Sequence, residues 1–353
     1  MEVDCLVVGS HLRFDGVWQR PQQIVTRLGT RVPVLFVEEP FVADAERDET
    51  VPAAGGVTVL RPRRAAYAHG VDERTVAHVR SWIGGRRALV WLYTPMMFAL
   101  ADAAPDASVV YDCMDELSAF AFAPPELAER ERELVARAAL VFCGGPSLYE
   151  ARRGLGAKAR FAPSGVEFEH FARSVPPHPL HANLPKPVFG YAGVIDERID
   201  AGALEALARE DAQVVLVGPF AKIDPASLPR RPNVHFTGRM AYADLPALLA
   251  GFDVAIMPFA RNAATRFISP TKTPEYLAAG LPVVSTPVAD VATRYGAFVT
   301  IAEGPDAFAR ACVAAAANPD PERRARGVER ARAEGWDALV TRMWNDVERE
   351  GGA

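Results

Sequence analysis

The stretch SPTKTPEYLAAGLPVVST, residues 269–286, decides how the second half of this chain is read. Ser269 and Pro270 suit a helix N-cap and first turn, and the helix they open is expected to begin near Thr271 and carry Lys272 and Glu275. It is expected to end at Gly280 as a C-cap, with Pro282 leading into a short strand. A helix N-terminus of this kind turns unpaired N–H groups and partial positive charge toward an anion, and Lys272 adds a full charge. Glu275, one turn in, is placed to accept hydrogen bonds from a pair of ribose hydroxyls while a diphosphate sits on the first turn. An ordinary capped surface helix with a solvated lysine and glutamate is the alternative, and local chemistry alone does not separate the two.

Outward from this stretch, short Val- and Leu-rich runs recur at 188–192, 213–217, 233–237, 253–258, 282–285 and 298–301, each followed by a polar or helical stretch. The first half repeats the pattern at 3–8, 32–37, 88–93, 108–112 and 139–143, with helices expected over 20–28, 94–103 and 126–138. Runs apolar on both faces suit parallel strands covered by helices, so both halves read as doubly wound α/β units. Between them RSVPPHPLHANLPKP, residues 173–187, holds five prolines and no helix period, and reads as a linker. The expected organisation is an N-terminal domain over 1–172, this linker, and a C-terminal domain over 188–335. A final helix, 336–350, has Trp336, Leu339, Val340, Met343, Trp344 and Val347 on one core-facing stripe. Ligands of such sheets bind at the carboxyl ends of the strands, here in a central crevice faced by two Rossmann-like domains.

Composition narrows the function classes. The 353 residues carry 39 Lys plus Arg against 44 Asp plus Glu, a net charge of −5, so no global basic field exists to attract nucleic acid or anionic lipid. Only Lys158, Lys186, Lys222 and Lys272 are lysines, which singles out Lys272 inside its motif. Cys5, Cys113, Cys143 and Cys312 lie far apart with no C-x-x-C pair, so buried free thiols are expected rather than disulfides or a zinc site. No basic region precedes the first short apolar run and no 18-residue apolar stretch occurs, so a cytoplasmic protein is expected.

The 269–286 stretch resembles the nucleotide-sugar signature of GT-B glycosyltransferases, particularly the group-1, family-4-like set, in which a glutamate is followed by an AAG-x-PVV turn and strand. LPALLAGFDVAIMPF (245–259), VVLVGPF (214–220) and NVHFTGRM (233–240) match that family's preceding units in the expected order. The resemblance therefore covers most of residues 188–300. It implies that Glu275 holds the donor ribose, that Ser269, Thr271 and Lys272 meet the diphosphate, and that the backbone at Gly238, Arg239 and Met240 reads the nucleobase. The first glutamate of the family's E-x7-E motif is replaced by Phe267, so the donor sugar must be held otherwise, by Asn262, Thr265 or Arg266. Arg198, in GYAGVIDERID (190–200), is the cation available to offset charge on the leaving diphosphate; its alternative is a loop salt bridge to Glu197 or Asp200.

In the first half GSHLRFDGVWQRPQQIVTRL, residues 9–28, lacks G-x-G-x-x-G but crowds His11, Arg13, Asp15, Trp18, Gln19 and Arg20 at a strand end. This segment, with VVYDCMDELSAF (109–120), resembles a subgroup of the same transferases whose opening loop and Y-D-x-x-D-E signature face the crevice. The resemblance assigns Asp115 as general base or sugar ligand and His11 as its companion, with Asp112 read as a strand-end cap or a helix N-cap. The implied activity is transfer of a sugar from a nucleotide-diphosphate sugar to an acceptor hydroxyl, retaining, with no metal and no cofactor. The acceptor is a glycan, a lipid-linked molecule or a small molecule, with peripheral membrane contact weak at most. A sugar-nucleotide epimerase, a phosphorylase, or a catalytically silent nucleotide-sugar-binding subunit are the competing readings.

Overall fold

The structure is a computed structural model that describes residues 3–156 and 158–350. The chain forms two compact units, Met1–Ser164 together with Trp336–Ala353, and Gly165–Gly335.

The first unit is built on strands β1 (Cys5–Ser10), β2 (Val34–Glu38), β3 (Phe41–Val42), β4 (Arg47–Pro52), β5 (Val57–Arg64), β6 (Ala88–Leu92), β7 (Ser108–Cys113), β8 (Leu140–Cys143) and β9 (Ala159–Phe161). Their order is β3-β5-β2-β1-β6-β7-β8-β9, all parallel along this path, with β4 antiparallel on β5. The central strands are buried along their whole length, which is why they read as unbroken apolar runs. The 41–64 region escapes that pattern because β4, RDETVP, is a charged, half-exposed edge strand. Helix Arg20–Leu28 covers the sheet, and helix Trp336–Glu350 lies against it. Trp336, Leu339, Val340, Met343, Trp344 and Val347 join the core of the first unit, and Arg27 pairs with Asp337 at 2.6 Å.

The second unit carries β10 (Val188–Ala192), β11 (Gln213–Val217), β12 (Val234–Phe236), β13 (Val254–Met257), β14 (Val283–Ser285) and β15 (Val299–Ile301). The parallel order β12-β11-β10-β13-β14-β15 winds one way from β10 and then the other. The reversal lies between β10 and β13, the position at which sheets of this kind bind their ligands. In the first unit the equivalent point lies between β1 and β6.

The unit boundary falls at Ser164–Gly165, earlier than the sequence reading placed it. Val166, Phe168 and Phe171 belong to the second core, so residues 165–172 leave the first unit before their helical turn forms. The proline-rich 173–187 segment is strapped to the second unit rather than spanning freely. His181 is buried with Nε2 3.0 Å from the Leu248 carbonyl oxygen, and Lys186 donates to the Gly251 carbonyl at 2.8 Å. All four cysteines are free and buried.

Candidate functional site

Beside the switch point of the second sheet, three neighbouring strands end in glycine turns. Gly193 follows β10, Gly218 follows β11 and Gly238 follows β12. Gly193 N–H donates to the Val217 carbonyl at 2.8 Å and Gly218 N–H to the Gly238 carbonyl at 2.9 Å, which draws the three turns together. A Cβ on Gly218 would stand 1.9 Å from the Gly193 oxygen, and one on Gly193 would stand 1.9 Å from Cε of Lys272 and 2.5 Å from its Nζ. Only glycine permits this approach. The lysine side chain therefore lies along this floor of glycines, its Nζ 5.6 Å from the centre of the Tyr191 ring.

Lys272 is held there by the helix it opens, Lys272–Ala278. The Tyr276 hydroxyl accepts from Ala192 N–H at 2.8 Å and donates to the Ala192 carbonyl at 3.3 Å, fastening the helix to the end of β10. Thr273 is fully buried against β13, with its hydroxyl 3.4 Å from the Met257 sulfur. Gly280, at φ +69, closes the helix, and Leu281 N–H reaches the Tyr276 carbonyl at 3.1 Å. Ser269 does not cap it. The residue preceding the helix is Thr271, already helical at φ −60 and ψ −22 and without a side-chain cap, because the Pro270–Thr273 turn starts the coil one residue late for serine.

Glu275 sits one turn along, half-buried, and its carboxylate takes no hydrogen bond or ion pair from the described residues. Burial raises the group to about 7, with Lys272 pulling it down and Glu167 pushing it up. A half-buried carboxylate without a donor, beside a lysine laid over a glycine floor, can accept from hydroxyl donors and attract an anion.

The loops after β10 and β13 are zipped together beside this floor. Ile199 and Phe259 form an antiparallel bridge, Ala260 N–H donates to the Arg198 carbonyl at 2.7 Å, and Asn262 Nδ2 donates to the Glu197 carbonyl at 2.8 Å. Arg198 is gripped by Asp196, its Nε 2.9 Å from Oδ1 and its Nη2 2.6 Å from Oδ2. Asp196 is thus an ion-pair partner of Arg198, while Asp200 caps helix Ala201–Leu207 by accepting from Ala203 N–H. Asn262 and Thr265 are occupied by a reciprocal capping box, and Thr265 also donates to the Ala260 carbonyl at 2.5 Å. Of the three residues suggested to stand in for the missing glutamate, Thr265 is buried, while Asn262 and Arg266 are exposed, the Arg266 guanidinium 5.0 Å above the Phe267 ring. Arg239 is exposed beyond Gly238, and Met240 packs partly on the core. Gly218, Tyr191, Tyr276 and Asp196 were not anticipated; the Gly-Pro step that ends β11 was their one visible signal.

The first unit sorts its own candidates. Arg20 and Asp112 form a buried ion pair, with Nε at 2.9 Å and Nη2 at 2.7 Å from Oδ1, and Arg20 Nη1 donates to the Ala162 carbonyl at 2.8 Å. Burial pushes the Asp112 carboxyl up and Arg20 works against it. Asp112 is a structural anchor rather than a cap. Arg13 binds the Glu39 and Pro40 carbonyls and lies 3.7 Å from the Phe41 ring centre, while Gln22 Nε2 holds the carbonyls of Arg13, Phe14 and Val17. Much of the polar crowding after β1 therefore holds its own loop; half-buried His11 follows β1 at the switch point. Asp115 follows β7, half-exposed, on a loop pinned from below. Arg152 bridges Glu116 at 2.9 Å and Glu131 at 2.8 Å, and Tyr111 donates to Glu131 at 2.6 Å. Among the described residues no group of three or more His, Cys, Asp or Glu is arranged to hold a metal ion.

Two doubly wound parallel-sheet units, the C-terminal helix being part of the first, define the GT-B architecture. Residues 188–318 match the family described as glycosyl transferases group 1. A relative from Bacillus subtilis (strain 168), TuaH, whose name assigns it provisionally as a teichuronic acid biosynthesis glycosyltransferase, is 28% identical over 236 residues. That match takes in 61% of this chain and spans 58% of the relative's length. Sucrose-phosphate synthase from Thermosynechococcus elongatus superimposes with a TM-score of 0.77 at 14% identity, covering 98% of each chain. An α,α-trehalose-phosphate synthase (UDP-forming) from Burkholderia xenovorans, in complex with glucose-6-phosphate, gives 0.69 at 13% identity over 97% of this chain and 99% of that one. HepE from Anabaena, in complex with UDP and glucose, gives 0.68 at 15% identity over 98% and 99%.

Proposed function

We propose that this protein is a glycosyltransferase that moves a sugar from a nucleotide-diphosphate sugar to an acceptor hydroxyl. The carrying observation is Lys272 laid over Gly193 with the unbonded carboxylate of Glu275 one turn on. In this reading Lys272 and the turn Ser269–Thr271 receive the diphosphate, Glu275 takes the ribose hydroxyls, and the backbone at Gly238, Arg239 and Met240 borders the nucleobase. Arg198, preset by Asp196, offsets charge on the leaving group. Asp115 and His11 serve the acceptor side as base or sugar ligands.

The group-1 match over 188–318 and the UDP held by a protein of the same fold support a uridine diphosphate sugar as the first donor class to test. Retention of anomeric configuration, independence of metal and cofactor, and a cytoplasmic setting complete the proposal. The acceptor belongs to glycan, cell-envelope or glycosylated-metabolite synthesis. Phe267 in place of a glutamate favours one second reading, a nucleotide-sugar-binding subunit without turnover.

A panel of UDP-, GDP- and dTDP-sugars, scored by thermal shift and then by slow donor hydrolysis, separates the two. Stabilisation with hydrolysis supports the transferase, and stabilisation without hydrolysis or transfer supports the silent subunit. Glu275→Ala and Lys272→Ala should each weaken nucleotide binding; wild-type binding in both variants overturns the assignment of the site.

A further inference from the structure

The loop that carries Asp115 ends in a feature the donor chemistry does not use. Phe122 is 85% exposed and has φ +64, in the left-handed region. It occupies the third position of a turn closed by Ala123 N–H donating to the Phe120 carbonyl at 3.2 Å, a position that ordinarily calls for glycine or asparagine. A single exposed phenylalanine is unremarkable on a protein surface. One held outward in a backbone conformation that disfavours its own side chain is not, because glycine would relieve both penalties.

The turn stands on a fixed base. Before it, Glu116 is held by Arg152 and by the Ser118 hydroxyl at 2.7 Å; after it, Pro124 and Pro125 stiffen the entry to helix Leu127–Arg137. The surroundings choose the partner. Residues 114–129, MDELSAFAFAPPELAE, include Asp115, Glu116, Glu126 and Glu129 and no lysine or arginine. Arg152 neutralises Glu116, but Asp115 and the exposed Glu126 and Glu129 keep the stretch negative, which disfavours anionic phospholipid and anionic polymers alike. One ring offers too little apolar area for a stable protein partner. A pyranose fits both properties: its C–H face packs on an aromatic ring, and its hydroxyls donate to carboxylates.

We propose that Phe122 is the stacking platform of an acceptor subsite for an uncharged sugar residue, on the loop that carries Asp115. This deepens the transferase reading and rests on its assignment of Asp115 to the acceptor side. The acceptor is then a neutral glycan end or glycoside, not a uronate.

Saturation-transfer NMR with methyl α-glucopyranoside, methyl α-mannopyranoside and methyl β-galactopyranoside, against methyl β-glucuronide, tests it on wild type, Phe122→Gly and Phe122→Trp. Wild type should bind at least one neutral glycoside and not the glucuronide. Phe122→Gly should weaken that binding by about tenfold, and Phe122→Trp should hold it within about twofold. The Phe122→Gly protein should melt no lower than wild type, which excludes misfolding as the cause. Equal glycoside binding by wild type and Phe122→Gly, or no binding of any neutral glycoside by wild type, overturns the proposal. So does co-sedimentation with phosphatidylcholine vesicles that depends on Phe122 while glycosides do not bind. UDP stabilisation of wild type is measured separately: its absence removes the transferase reading, and the glycoside result still decides the role of Phe122.

Discussion

Replacing Glu275 by glutamine keeps shape and hydrogen-bonding capacity while removing the charge that the second unit finds costly. Burial raises this carboxyl from 4.5 to about 7. A group whose folded-state value lies above its unfolded value makes no difference to stability below the unfolded value, where both states are protonated. As pH rises through the window between about 4.5 and 7 the unfolded chain releases its proton first, so stability falls; above about 7 the full cost remains. At 1.36 kcal/mol per unit, and discounted for a partly exposed side chain, the cost is about 1 to 3 kcal/mol. For a unit of this size each kcal/mol moves the melting temperature by about 2 to 4 °C. Glu275→Gln should therefore melt with wild type near pH 4 and several degrees above it at pH 8, measured by calorimetry in matched buffers. UDP should narrow the gap at pH 8, because ribose hydroxyls supply the donors the carboxylate lacks. A difference between the two proteins that is constant from pH 4 to 8, or a wild type that gains stability across that range relative to the variant, refutes the reasoning.

Gly193→Ala places a methyl 1.9 Å from Cε of Lys272, so it should displace the lysine and reduce UDP affinity by at least about tenfold, matching Lys272→Ala in isothermal titration. Arg20→Met strands Asp112 as a buried, unpaired charge and should cost about 3 to 5 kcal/mol in denaturant unfolding, whereas Arg20→Met combined with Asp112→Leu should recover much of that loss. Trp344→Ala empties a large side chain from the core of the first unit and should cost about 3 to 5 kcal/mol. Its effect on UDP binding should be small, since Trp344 belongs to the core of the first unit.

The sequence made the strands of the second unit legible because parallel strands are buried on both faces and show as uninterrupted apolar runs; Val188–Ala192 and Gln213–Val217 lie where the pattern placed them. It hid β4 because an edge strand that faces water has no such run, and RDETVP spells a loop as readily as a strand. The proline-rich 173–187 segment misled for a related reason. Prolines forbid helix but do not forbid docking, and the buried His181 that anchors the segment is a single residue with no period. Within the site, charge was readable and its partner was not. Lys272 stood out by its scarcity among cations, yet the glycine floor that receives it comes from three strand ends far apart in sequence. Arg198 and Asp112 were visible as charges at strand ends. Whether such a charge is available to a ligand or committed to the fold depends on one distance, here 2.6 Å to Asp196 and 2.7 Å to Arg20, that only the folded chain sets. The commitments differ in kind. Asp112 is buried with its arginine and serves the first core, while Arg198 is oriented by its aspartate and keeps part of its guanidinium in solvent, so pairing withdraws the first from solvent but not the second.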